Sequence, residues 1–271
     1  MVRIRRAAVA GTFYPSDPDE LTSLVTEFTS ERVPTPVFGA IVPHAGLAYS
    51  GACAGKVYAY LQIPRLVIIL APNHTGRSRD PTRAGYWSNG AFQTPLGNCE
   101  IDGDFLTALR QRCDLVSEDE LQHVGEHAIE VQLPFIQVLS PDTLIAPIVL
   151  PWTDWPRCRL LAEALAVVIK EWGGDVLLLA SSDMNHFESA DTALYKDTTV
   201  LEAIAKLDGE ELLGVCDRMQ VTMCGRAPAA VVTTASKILG AEIATVLDYR
   251  HSGMVTGDNS NVVSYAGIVM T

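Results

Sequence analysis

Short unbroken apolar runs alternate along this chain with longer stretches of mixed polarity. Residues 37–42, 66–71, 144–150 and 176–180 are runs with few or no polar side chains, and each is bounded by Pro, Ser, Asp or Gly signals. That length and continuity predict buried strands. Between them, apolar residues recur at helical spacing. Asp17-Pro18-Asp19-Glu20 predicts a helix start, with Asp17 as cap and Pro18 in the first helical position, running to about Phe28. Further helices are predicted over residues 50–61, 102–112, 129–139 (despite Pro134), 156–172, 190–207, 209–216 and 226–239. Gly173-Gly174 stops the longest of these. Residues 84–98 read as strand fragments, and 243–249 and 261–270 as closing strands. Residues 75–81 read as a polar, mobile loop and 118–127 as an acidic connection. Alternation of strand and helix predicts an α/β fold. The expectation is a single three-layer domain over residues 1–271, with a mixed, partly parallel sheet and helices on both faces.

Composition narrows the functional classes. The 271 residues are 48% hydrophobic and 19% charged, with a net charge of −12. An acidic chain lacks the basic face that nucleic acid requires. No apolar run reaches the roughly 20 residues of a membrane span. The basic start, Met1 to Arg6, precedes too short an apolar stretch for a signal peptide. The expected location is therefore cytoplasmic, with neither nucleic acid nor membrane as a partner. None of the six cysteines forms a C-x-x-C pair, so most read as buried, inert side chains.

Candidate chemistry gathers at the ends of the predicted strands. Pro43-His44-Ala45-Gly46, Pro72-Asn73-His74 and Ser181-Ser182-Asp183 with His186 each follow an apolar run. Ligands bind at strand carboxyl ends in open α/β sheets. Either His44 or His74 alone reads as a hydrogen-bonded structural residue; the pair at equivalent strand ends points to a site. Asp183 could orient His186 for acid–base work; equally, it could cap the next helix. Glu126, His127 and Glu130 share the spacing of one helix face, which suits a carboxylate–histidine motif or a solvated helix start. His123 and His251 read as surface residues. Cys224 precedes a predicted helix, whose dipole would lower the thiol pKa.

Taken together, these residues resemble the Memo family, called AmmeMemoRadiSam system protein B in prokaryotes. The resemblance rests on Ala10 to Pro15, Pro43 to Gly46 with Tyr49-Ser50-Gly51, and Pro72-Asn73-His74. It continues through Glu126 to Pro134, Ser181 to Asp183 with His186, Thr222 to Arg226, Ser252-Gly253 and Val263 to Ala266. It implies a LigB-dioxygenase-like fold, that of the class III extradiol dioxygenases, which use non-haem iron. The family's metal positions fall on His44, His74 and Cys224, and the dioxygenases' catalytic histidine on His186 with Asp183 beside it. Phe13, Tyr49 and His127 would line the pocket. The resemblance also implies a radical-SAM enzyme as pathway partner. A cysteine in place of the usual carboxylate ligand is a softer donor, which widens the metal candidates from iron(II) to copper and zinc.

Three functions compete on this reading. The first is a metal-dependent redox enzyme of the dioxygenase type, with His186 as base on a phenolic or enolic substrate. The alternative is a binding module on an inherited enzyme fold, holding a small molecule or peptide without turning it over. A third is metal-free chemistry, with Cys224 as nucleophile and His186 as base. The last gives His44 and His74 no role.

Overall fold

The computed structural model describes residues 3–271. Its strands are β1 (Ile4–Arg5), β2 (Gly39–Val42), β3 (Leu66–Pro72), β4 (Ala84–Tyr86), β5 (Ala91–Thr94), β6 (Gly97–Glu100), β7 (Val116–Glu118), β8 (Leu144–Leu150), β9 (Val176–Ser181), β10 (His186–Glu188), β11 (Ala244–His251) and β12 (Val262–Met270). Its helices are α1 (Pro18–Phe28), α2 (Leu47–Tyr60), α3 (Gly103–Arg112), α4 (Leu133–Leu139), α5 (Trp155–Trp172), α6 (Ala190–Ala205), α7 (Gly209–Met219), α8 (Arg226–Leu239) and α9 (Gly253–Thr256).

The centre of the molecule is a parallel set in the order β2-β9-β3-β8. β12 adds antiparallel to β2, with β10 and β11 paired to β12. β4 adds antiparallel to β8 and carries β7 beyond it. β1, β5 and β6 make a separate small sheet. Successive strand side chains point to opposite faces, and β3 shows the result. Leu66, Ile68 and Leu70 enter one hydrophobic core with residues of α3, α5, α6, α7 and α8. Val67, Ile69 and Ala71 enter a second core with residues of α1, α2 and α4. A strand buried on both faces must be apolar throughout, which is why these runs carry no alternation. The three layers and the mixed sheet agree with the sequence expectation.

Helix starts follow local chemistry. Asp17 accepts from the amides of Asp19 (3.0 Å) and Glu20 (2.9 Å). Asp102, Asp154, Ser189 and Asp208 cap α3, α5, α6 and α7 in the same manner. Three local expectations are corrected. Residues 75–81 are pinned, because the buried Asp119 carboxylate accepts from Ser78 Oγ (3.0 Å) and Arg79 N (2.7 Å). Asp183 caps no helix; the chain stays extended into β10, and Ser189 caps α6. His123 is buried, and its Nε2 bonds the carbonyl of Gly85 at 3.0 Å.

Candidate metal centre

β9 lies between β2 and β3, so the segments leaving all three strands emerge side by side. Val42 pairs with Ser181 and Leu70 with Ala180, at the last turns before His44, Asp183 and His74. The fourth segment, residues 222–225, is brought in at the start of α8 by a close backbone approach. Gly225 N donates to Ser182 Oγ at 2.9 Å. A Cβ on Gly225 would sit 2.4 Å from Ser181 O and 2.5 Å from Ser182 Cβ, so only glycine permits the contact.

One ring nitrogen from each of His44, His74 and His127 lies within 4.8 Å of the other two. The ring centroids of His74 and His127 are 4.7 Å apart in a stacked pair, and His44 meets both edge-on at 5.2 and 5.4 Å. Phe13 packs on the His127 ring at 4.8 Å. Cys224 Sγ is 3.2 Å from His44 Nε2. The sequence reading placed His127 among pocket-lining residues; the fold groups its nitrogen with those of His44 and His74.

Outer contacts set which nitrogen His44 and His74 offer. Ser181 Oγ donates to Ala128 O at 2.6 Å, so it accepts from His44 Nδ1 (2.8 Å) and Gln132 Nε2 (2.8 Å). The hydrogen on His44 is thereby placed on Nδ1, and the Nε2 lone pair is left toward Cys224. Glu126 does the same for His74, accepting from its Nδ1 at 2.9 Å and its amide at 2.6 Å. Glu126 also accepts from the amides of His127 (2.9 Å) and Ala128 (3.0 Å). Such partners fix the tautomer and orientation of metal-ligating histidines.

Burial disfavours the charged form of three of the rings, those of His44, His127 and His186. Burial, then the nearby His74, His127 and His186, push the His44 pKa well down. Burial also lowers His127 and His186. Burial would raise Glu126, but hydrogen bonds and charge from His74 override it and hold the carboxyl below its usual range. Asp183 is pushed up to about 6 by burial, although it accepts from the amides of His44 (2.8 Å) and Ala45 (3.3 Å). The Cys224 thiol is pushed up by burial and then by Asp183. This reverses the expectation from the helix dipole: desolvation outweighs the field of the α8 N-terminus.

His186 is held differently from the sequence expectation. Its Nδ1 donates to Thr222 O at 2.9 Å and its amide to Thr222 Oγ1 at 2.7 Å. Asp183 instead clasps the backbone of His44. Tyr49 is 42% exposed, with its ring near Gly46. Glu126 and Glu130 do not share a helix face. Glu126 precedes a 3-10 turn and faces the histidines, while Glu130 opens that turn and faces the N-terminal segment.

Sequence reasoning did not single out Ser181, Gln132 and Thr222 as the side chains that hold His44 and His186, directly or through one another. A signal existed for Gln132 and Glu130: both interrupt an otherwise apolar run over residues 129–136. A polar side chain that must be buried requires a partner. Among the described residues, no helix is long and apolar enough to cross a membrane.

Comparisons with known proteins give the family and the fold. The profile of the family described as Memo-like protein matches residues 5–269. A MEMO1 family protein of Methanopyrus kandleri is 37% identical, covering 98% of each chain. One from Aquifex aeolicus is 38% identical over 99% of each. One from Methanocaldococcus jannaschii is 34% identical over 100% of each. Among solved structures, an uncharacterized protein of Escherichia coli K12 shares the fold, with a TM-score of 0.54 at 10% identity, covering 86% of this chain and 99% of that one. With a profile match across nearly its whole length and relatives of this identity along all of it, the chain belongs to the Memo family.

Proposed function

We propose that this protein is a metal-dependent redox enzyme of the non-haem dioxygenase type, acting on a phenolic or enolic substrate. The observation that carries the reading is the grouping of ring nitrogens from His44, His74 and His127 within 4.8 Å. Their fit to a cation rests on the donor set. His44 and His74 have Nδ1 committed to Ser181 and Glu126, which leaves Nε2 as a lone-pair donor. Imidazoles suit iron, copper and zinc, and a thiolate from Cys224 would weight the site toward softer ions. Iron(II) or copper is the proposed ion. When bound, such an ion supplies Lewis-acid and redox chemistry.

The chain's own residues supply the rest. His186 has its Nδ1 hydrogen committed to Thr222 O, so Nε2 is available to accept a proton from a substrate hydroxyl. Asp183 positions His44 by accepting its backbone amide. Phe13, packed on His127, offers aromatic surface for a planar ligand beside the cluster, and the exposed Tyr49 is a second candidate.

Metal analysis of protein purified without an affinity tag tests the reading. About one equivalent is expected, lost in His44→Ala and His74→Ala. Full metal content in both variants would overturn it. Comparing Cys224→Ser with His127→Ala then identifies the third protein ligand. Oxygen uptake with a panel of catechols and added iron(II) tests turnover.

One observation favours a second reading as a binding module. The His74 side chain is 32% exposed, and enzymes that activate oxygen gain from excluding water. Saturable ligand binding without oxygen uptake would select that reading.

A further inference from the structure

We propose that Asn185 is a positioning residue for His186, acting through Thr222 and a β-bulge at the sheet edge. The inference rests on the reading of His186 as the proton-accepting group, and names what sets its direction.

Asn185 is fully buried, and each of its polar groups is engaged. Its Oδ1 accepts from Thr222 N at 3.0 Å and from Thr222 Oγ1 at 3.1 Å. Its Nδ2 donates to Glu188, whose other oxygen takes Lys196 Nζ at 2.8 Å. Its amide donates to the buried Asp197 at 3.2 Å, and its carbonyl accepts from Ser264 N (3.0 Å) and Oγ (3.1 Å). Thr222 in turn holds His186 twice, through Oγ1 to the amide and through its carbonyl to Nδ1. Thr222 is thus clamped between Asn185 and His186 by two bonds on each side.

The backbone shows what this clamp resists. β10 pairs with β12 with a register shift between His186 and Glu188. The residue between them, Phe187, has φ of +62° and is 75% exposed. A bulky residue in the left-handed region is strained by about 1–3 kcal/mol, and it persists only where its surroundings over-determine it. Asn185 fixes one flank of the bulge and, through Glu188, the other. Bulges near active sites re-aim a side chain; the side chain re-aimed here is His186. Thr222 and Cys224 also share one loop, so the clamp fixes the imidazole relative to the sulfur beside His44.

The test reads the tautomer of His186 in 15N-histidine spectra of protein loaded with zinc, a diamagnetic probe, with the peaks assigned by His186→Ala. The wild-type protein shows the Nδ1–H form. Asn185→Ala and Thr222→Val lose that signature while keeping about one equivalent of metal; Thr222→Ser, which keeps the hydroxyl, retains it. Should Asn185→Ala fail to fold, the Thr222 pair decides, because Thr222 is exposed. An unchanged Nδ1–H signature in the folded variants overturns the inference. Catechol-dependent oxygen uptake with iron(II) separates the two readings. The expected fall in kcat on Asn185→Ala is about 10- to 100-fold, the range seen for outer-shell partners, with KM moved less. If His186→Ala leaves uptake intact while Asn185→Ala still scrambles the tautomer, the positioning stands and the base role fails.

Discussion

Glu126 and Glu130 are one helical turn apart in sequence and equally buried, yet they serve different parts of the molecule. Glu130 accepts from the Arg5 guanidinium, the amides of Ala8 (2.8 Å) and Val9 (3.0 Å) and the hydroxyl of Tyr14 (2.5 Å). It anchors the N-terminal segment, and through that segment Phe13 is delivered onto His127. Glu126 accepts from His74 and from the amides of His127 and Ala128, and so orders the histidine cluster. The difference lies in the partners. A carboxylate facing a permanent cation and fixed donors supports the fold. A carboxylate facing an imidazole tunes a group whose lone pair is used elsewhere.

The largest effect should come from Glu130→Ala. It strands the Arg5 charge, whose side chain is 3% exposed, and a broken buried pair costs about 3–5 kcal/mol. Urea unfolding should show this loss, with metal stoichiometry of the folded fraction unchanged. If metal is lost in parallel, the division between the two carboxylates is wrong.

Acid should reveal the same fold-supporting side next. Arg5 Nε donates to His123 O, and burial pushes the His123 pKa down to about 4. Folded His123 is neutral, whereas the unfolded side chain takes a proton near pH 6.5. Its contribution is therefore whole above pH 6.5 and is lost as pH falls toward 4, up to about 3 kcal/mol. His123→Gln should flatten that part of the stability–pH profile. An unaltered slope would show that other groups govern it.

On the other side, Glu126→Gln should weaken metal binding about 10- to 100-fold, or roughly 1.4–2.7 kcal/mol. Competition titration with a chelator measures it, and the thermal midpoint should move little. Last comes Tyr14→Phe, about 1.5 kcal/mol, the low end for one hydrogen bond to a charged group because Glu130 keeps its other donors, seen in unfolding and absent from metal titration. A Tyr14→Phe variant that lost metal while keeping stability would couple the two carboxylates through Phe13.

The sheet was legible because strands buried on two faces must be continuously apolar; residues 66–71 and 144–150 could be little else. The strand-end histidines were legible for the same reason, since a polar motif after such a run marks the sheet's edge. Residues 84–98 showed strand fragments, but the small β1-β5-β6 sheet was not legible, because its strands are two to four residues long and β1 joins β5 from far along the chain. Nor were the contacts that orient the rings. Ser181 meets Gln132 across 49 residues and His44 across 137, and no local periodicity encodes such pairs. His123 looked like surface because it sits in a polar stretch; its ring is enclosed by Phe92 and Trp87, which the pattern places far away. The thiol of Cys224 misled for a physical reason. The helix-end argument counts a favourable field and omits dehydration, which dominates at this depth.

The Ser181 hydroxyl carries one further consequence. Its single hydrogen is spent on a peptide carbonyl in another segment, Ala128 O, so every bond reaching it from the other side must point inward. That polarity propagates: His44 cannot turn its ring over without setting a carbon against the oxygen, and cannot exchange its two nitrogens without inverting the whole chain of bonds. Removing the hydroxyl, as in Ser181→Ala, should let the imidazole occupy both flips, turning a directional donor into an ambivalent one. The direction of these bonds is thus written in a main-chain oxygen that reaches His44 only through Ser181.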